Sequence, residues 1–204
     1  MPEPTNGYCT LAQLQAALGE SREEHNDALV RAIDASSRLI DRWCGRRFYP
    51  DPVETTRYFE SSGGRTLWLG PEPTAADVVS VSAIDTDGGA GTFTNTLTVD
   101  TDYHLAPRGA AEAGRGHDRI VFSAAPARGR GENVRVTGIF GWPAPPPEVV
   151  EATLIQSARV WKRGREAPFG VVDINIEGAG VRLQSKLDPD VELLLRGLRI
   201  PVVV

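Results

Sequence analysis

The sequence changes period once, and that change constrains what the chain can fold into. Along residues 134–140, Val134, Val136 and Phe140 fall on one face at a period of two, as a half-buried strand requires. Gly138 and Gly141 leave the backbone free to bend at the end of that strand. Pro143, Pro145, Pro146 and Pro147 then stop it. Pro147 suits the first position of a helix, where its missing N–H would have no intrahelical partner, and Glu148 and Glu151 suit the positive helix end. From there Val150, Leu154, Ala158 and Trp161 recur at helical spacing, making an apolar stripe that another helix must cover.

The candidate partner lies far upstream, between Ser21 and Gly45. Ser21 with Glu24 three residues later reads as a capping box, and Leu29, Ile33, Ile40 and Trp43 share one helical face. Both stripes close with a tryptophan. The expected core of this helical pair is Ile33, Ile40 and Trp43 on one helix and Leu154 and Trp161 on the other. Pairing them requires the two ends of the chain to meet while the middle is looped out.

The other segments fit that plan. Thr10 and Gln13 form a further capping box, and Leu11, Leu14 and Leu18 give a short helix ending at Gly19. On the long helix the pairs Asp27 with Arg31 and Asp34 with Arg38 stand four residues apart, as on a solvated face or at a charged contact between subunits. Arg46 and Arg47 follow its C-terminus, a pair that could grip an anion but whose place favours complementing the macrodipole. Glycines and prolines crowd the stretch from Pro50 to Pro147 and separate six strand candidates: 56–60, 66–69, 78–85, 96–105, 119–124 and 134–140. They predict a small antiparallel sandwich or barrel. Residues 170–176 alternate weakly, as an extended arm would, and Asp188–Pro189 opens a last helix carrying Val191, Leu194, Leu195 and Leu198. The predicted fold class is α+β. A helical core spans residues 1–52 and 141–204, with two long packed helices plus short N- and C-terminal ones, and an antiparallel β-rich subdomain is inserted at 53–140.

Chemistry is poorly provided for. His25, His104 and His117 are scattered and none has metal-ligand spacing to another His or Cys, so neither metal nor cofactor is expected. Asp85 with Asp87, and Asp100 with Asp102, sit at strand ends where Asp bonds its own turn. A phosphate-binding loop and a nucleophile elbow are both missing from the sequence, so no catalytic residue is assigned and the chain reads as a non-enzyme. Cys9 and Cys44 are too few for a disulfide framework and read as buried hydrophobes. A net charge of −5 argues against a protein whose main work is neutralising phosphates. No window is apolar enough to span a bilayer and the N-terminus has no signal-like region, so no membrane partner is expected and cytosol-like conditions are.

An ordered series of short motifs carries a resemblance. Tyr8-x-Thr10 with Leu11 and Leu14 is followed by Ala35-Ser36-Ser37-Arg38-x-Ile40-Asp41-x-x-Cys44-Gly45-Arg46-Arg47-Phe48-Tyr49 and Thr56-Arg57-Tyr58-Phe59. Further on come Asp102-Tyr103-x-Leu105-x-Pro107, Val134 to Pro143, Ala152-Thr153-Leu154, Lys162-Arg163, Gly170-Val171 and Leu187-Asp188-Pro189-Asp190-Val191. The series resembles the head-to-tail connector (adaptor) proteins of long-tailed bacteriophages over nearly the whole chain. The resemblance implies a structural virion protein that forms a ring of twelve copies beneath the portal protein. That ring joins the head to head-completion or tail-completion proteins, with genome DNA passing through its channel. The implied location is the virion neck, and the host cytoplasm during assembly. The long β insert departs from the small helical members, so their contact positions do not carry over across residues 53–140.

On this resemblance Arg31, Asp34 and Arg38 become candidates for contacts between subunits. Arg196, Arg199, Ile200, Pro201, Val202, Val203 and Val204 become a portal-docking tail, an apolar, β-prone segment that another chain would receive. A capsid- or tail-tube-associated component shares the absence of chemistry, and a ring joined to the portal separates it from an adaptor. A nucleic-acid-binding regulator would need a basic face, which a gel shift with salt titration would reveal.

Overall fold

The computed structural model describes residues 2–69, 77–87, 92–126, 131–166, 171–172, 181–182 and 187–200. The chain is mixed α+β and divides into two compact units, Met1–Cys44 with Pro147–Arg199, and Gly45–Pro146 with Ile200–Val204.

The first unit is helical. Its α1 (Leu11–Leu18) is held at its start by the reciprocal Thr10–Gln13 capping box and ends at Gly19 in the left-handed conformation. A single 3-10 turn, Glu23–His25, leads into α2 (Asn26–Cys44). The Ser21 capping box is not formed. Glu20 takes over the corner: its carboxylate accepts the Arg22 backbone N–H at 3.1 Å and binds the Arg22 guanidinium at 3.0 Å, so the chain enters α2 through a tighter turn. Helix α3 (Pro147–Glu166) begins at its proline and packs along α2. Their shared core is Cys9, Leu11, Leu14, Leu29 and Ile33, with Val150, Leu154, Ala158 and Trp161 laid against it. Helix α4 (Pro189–Leu195) is capped by Asp188, whose carboxylate accepts the Asp190 N–H, and Arg159 of α3 binds Asp188 at 3.0 Å.

The second unit is built on two antiparallel sheets. Strands β1 (Thr55–Phe59), β3 (Val78–Thr86), β4 (Asn95–Leu97) and β7 (Val134–Phe140) make one sheet in the order β1-β7-β3-β4. Strands β2 (Thr66–Trp68), β5 (Tyr103–Ala106) and β6 (Arg119–Phe122) make the other in the order β2-β6-β5. Both contribute to one core: Leu67, Tyr103, Ile120 and Phe122 from the second sheet meet Val78, Ile84, Val134, Val136 and Phe140 from the first. The predicted strand 96–105 is two strands in two sheets. Asp100 sits in the left-handed region at φ 60°, which Asp tolerates better than most residues, and the Asp102 carboxylate accepts the Thr98 N–H at 2.8 Å, so a turn replaces the middle of the strand. A two-residue ladder, β8 (Val171–Val172) with β9 (Val181–Arg182), occupies the start of the predicted arm, and the rest of 170–176 lies outside the described residues.

The start and finish of the second unit are clasped together. Phe48 meets Trp142 edge-on at 5.1 Å, the Asp51 N–H donates to the Phe140 carbonyl at 2.7 Å, and Arg46 binds Asp77 at 3.1 Å while lying over Trp142. Trp142 Nε1 donates to the same Asp77 carboxylate. Gly141 makes the clasp possible: its φ is +111°, and a Cβ there would stand 2.0 Å from the Tyr49 carbonyl oxygen. Gly141→Ala is expected to destabilise the β unit by more than about 3 kcal/mol, combining backbone strain with the clash. Urea unfolding followed by tryptophan fluorescence measures it, and an unchanged midpoint would remove Gly141 from this role.

Candidate assembly surfaces

The groups that could do chemistry are engaged in structure. Asp85 is buried, with Arg135 donating to it at 2.9 and 3.1 Å and Thr96 hydroxyl donating as well. His117 is buried with Nδ1 3.0 Å from the Pro107 carbonyl. The arginines after α2 each have a carboxylate of the β unit, Arg46 on Asp77 and Arg47 on Asp51, which Arg57 also binds at 3.1 Å. Burial raises the Asp77 carboxyl above the ordinary Asp value, with Arg46 and Trp142 pulling the other way. Among the described residues no group of His, Cys, Asp and Glu is placed to hold a metal ion, and no helix is long and apolar enough to cross a membrane. Cys9 and Cys44 are buried free thiols, and burial pushes the Cys9 thiol up to about 12.

The charged positions of α2 fall into different environments. Arg31 is exposed and makes no ion pair among the described residues, Asp27 four residues earlier included. Asp34 is half-buried, and desolvation raises its carboxyl while the nearby Thr5 backbone N–H and the Arg38 charge oppose the rise. Arg38 binds Asp41 at 3.1 Å and the Asn6 carbonyl at 2.9 Å, so it ties the N-terminal segment to the helix. Ile33 and Ile40 are fully buried and Leu154 is half-buried. Trp43 and Trp161, expected inside, are both half-buried. Each has a cation over its ring: Arg199 at 5.1 Å from Trp43 and Arg165 at 5.4 Å from Trp161.

Trp161 belongs to a cluster that the sequence did not reveal. His25 tilts against its ring at 5.0 Å, Glu20 lies 3.0 Å from His25 Nδ1, and Arg165 approaches Glu20 at 3.8 Å. The Arg22 hydrogen bonds, aided by His25, hold the Glu20 carboxyl down to about 2 from an ordinary 4.5. Glycine-terminated α1 followed by a Glu, an Arg and a His within six residues was the available signal. Beside this cluster a shallow cavity of about 300 Å³ opens between α2 and α3, lined by Ala28, Arg31, Ala32, Trp161, Gly164 and Arg165 among others.

Of the C-terminal candidates, Arg196 is exposed, Arg199 lies on Trp43, and Ile200 is half-buried. Pro201, Val202, Val203 and Val204 lie outside the described residues.

No protein-family model matches the chain, and no curated protein matches it. Solved structures do. A chain in the neck of the native GTA particle computed with C12 symmetry is similar with a TM-score of 0.56 and 18% identity, over 95% of this chain and 90% of that one. A chain in the neck of the empty GTA particle computed with C6 symmetry gives 0.59 and 17%, over 100% and 96%. One in the virion of the native gene transfer agent (GTA) particle gives 0.60 and 16%, over 100% and 95%. At these identities the likeness establishes the fold, which is shared over essentially the full length.

Two outcomes follow from the site geometry. Because Glu20 titrates lower in the folded chain than in the unfolded one, its stabilisation is complete above about pH 4.5 and lost as pH falls towards 2. The stability gap between wild type and Glu20→Gln is therefore expected to be largest at neutral pH and to close over that window; a gap constant from pH 7 to 2 would contradict the assignment. Asp34→Ala, at a half-buried carboxylate facing the Thr5 N–H, is expected to change stability more than Arg31→Ala at an exposed position, which should stay within about 0.5 kcal/mol. Thermal unfolding of the two variants compares them directly.

Proposed function

We propose that this chain is a structural component of the neck of a phage-like particle, a head-to-tail adaptor. It forms a ring beneath the portal protein and joins the DNA-filled head to tail or head-completion proteins. The observation that carries this reading is the likeness, over 95–100% of the chain, to chains in GTA necks and the GTA virion. The C12 and C6 symmetries of those two necks support a ring, and we take twelve copies as its number. Heterologous contacts repeated round an axis close such a ring.

Physical properties support the same reading. The chain carries a net charge of −5, so a channel built from it would not hold the phosphate backbone by counterion release and would let DNA slide. Two of the groups that could have done chemistry, Asp85 and His117, are spent on folding. Arg199 anchored on Trp43 fixes where the C-terminal segment leaves α4, and residues 201–204 then meet the portal, where an extended apolar segment can add backbone hydrogen bonds to an exposed edge.

Deleting residues 201–204 while keeping Arg199 tests the docking. The expected product is soluble, melts like the full chain, and no longer binds portal-bearing heads. Retained binding with a lowered melting temperature would assign the segment to the fold instead.

A further inference from the structure

Two features of the helical unit are complementary to each other, and one copy cannot bring them together. The first is the cavity between α2 and α3. Ala28, Ala32 and Gly164 form a floor without bulk, Trp161 forms a wall, and Arg31 and Arg165 stand at its rim, both exposed. The second is Leu193 on α4, 71% exposed and the most exposed large hydrophobic side chain among the described residues. It is flanked by Asp190 and Glu192, exposed carboxylates that form no ion pair among the described residues.

Their positions on α3 keep them apart. The start of α4 is held to α3 through Arg159 and Gln156, which bond Asp188. At roughly 100° per residue these lie about 140–160° round the helix from Trp161. The Leu193 helix and the Trp161 cavity are thus anchored on opposite sides of α3, and an apolar knob with an acidic rim faces away from a notch with a basic rim.

We propose that the occupant of the cavity is α4 of a second copy: Leu193 of one subunit enters the notch of the next, with Asp190 and Glu192 against Arg31 and Arg165. This rests on the ring reading above and gives it a lateral interface. Because knob and notch are different surfaces, the contact is heterologous and propagates head to tail, the type that closes into rings. The pairing of acidic with basic rims sets its register and rejects the inverted arrangement, which would oppose like charges. It also accounts for Leu193, since an isolated apolar side chain between two carboxylates on an outward helix face serves no packing within its own subunit.

Disulfide trapping on portal-bearing heads tests this. The native thiols are buried and do not compete. A chain carrying both Leu193→Cys and Ala28→Cys, bound to heads and mildly oxidised, is expected to give a ladder of covalent dimers, trimers and higher species. Either single variant is expected to stay monomeric, because a disulfide needs Cα atoms about 4.4–6.8 Å apart. Arg31→Glu should reduce ring occupancy at least tenfold, and adding Glu192→Arg should restore it. If rings are visible by electron microscopy yet the double-cysteine chain cross-links no more than the single ones, this interface is wrong and the adaptor reading stands. Dimers from Leu193→Cys alone would mean a symmetric contact and overturn the proposal equally. A chain that never binds heads would overturn the adaptor reading, and this interface with it.

Discussion

Everything in this fold depends on a chain that leaves one unit after Cys44 and must resume it at Pro147. Helices α2 and α3 pack together although residues 45–146 lie between them, and closing a flexible loop of that length costs about 4 kcal/mol in chain entropy. The β unit removes most of that cost by clasping its own first and last residues. Arg46 and Trp142 share the buried Asp77 carboxylate, Phe48 packs on Trp142, and Asp51 bonds Phe140. The incoming and outgoing chains are thereby held side by side by groups that belong to the insert. Adjacent termini of this kind are what let one folded unit be inserted in another.

The same clasp explains why some features were legible in the sequence and others were not. Periodic features were readable because burial imposes them locally: Val134 and Val136 on β7, the Thr10–Gln13 box, and the stripe of Val150 and Ala158 that meets Leu29. Features set by contacts distant in sequence were not. Arg46 looked like a helix-end charge because its partner, Asp77, lies 31 residues on and nothing local marks the pair. Ser21 looked like a cap, yet Glu20 has the longer reach and satisfies an amide, a guanidinium and an imidazole at once. The strand predicted at 96–105 failed at Asp100, where a single left-handed residue redirects the chain from one sheet to the other. Trp43 and Trp161 were placed by their stripes but finished by Arg199 and Arg165, cations that periodicity cannot assign.

Charge takes on a consistent meaning in this molecule. Arginines that neutralise buried carboxylates, on Asp51, Asp77 and Asp85, belong to folding, as does the low-titrating Glu20 corner. Among the exposed charges of the helical unit, Arg31 stands at the cavity and Asp190 and Glu192 stand beside Leu193. On the interface proposed above, weak and oriented contacts would suit a subunit that assembles on a template, because association would then wait for many copies to be held in register. On the proposed reading, the net charge of −5 would suit a conduit that passes DNA without binding it.

The central claim is that the chain is a ring subunit of a particle neck. A cryo-electron-microscopy reconstruction of the neck, from particles made with this chain as the sole source of the component, tests it most directly. The account predicts a twelve-fold ring directly beneath the portal, with each subunit showing the α2–α3 pair and the two-sheet unit of Gly45–Pro146. Density for this fold elsewhere in the particle, or a complete neck lacking it, would contradict the claim.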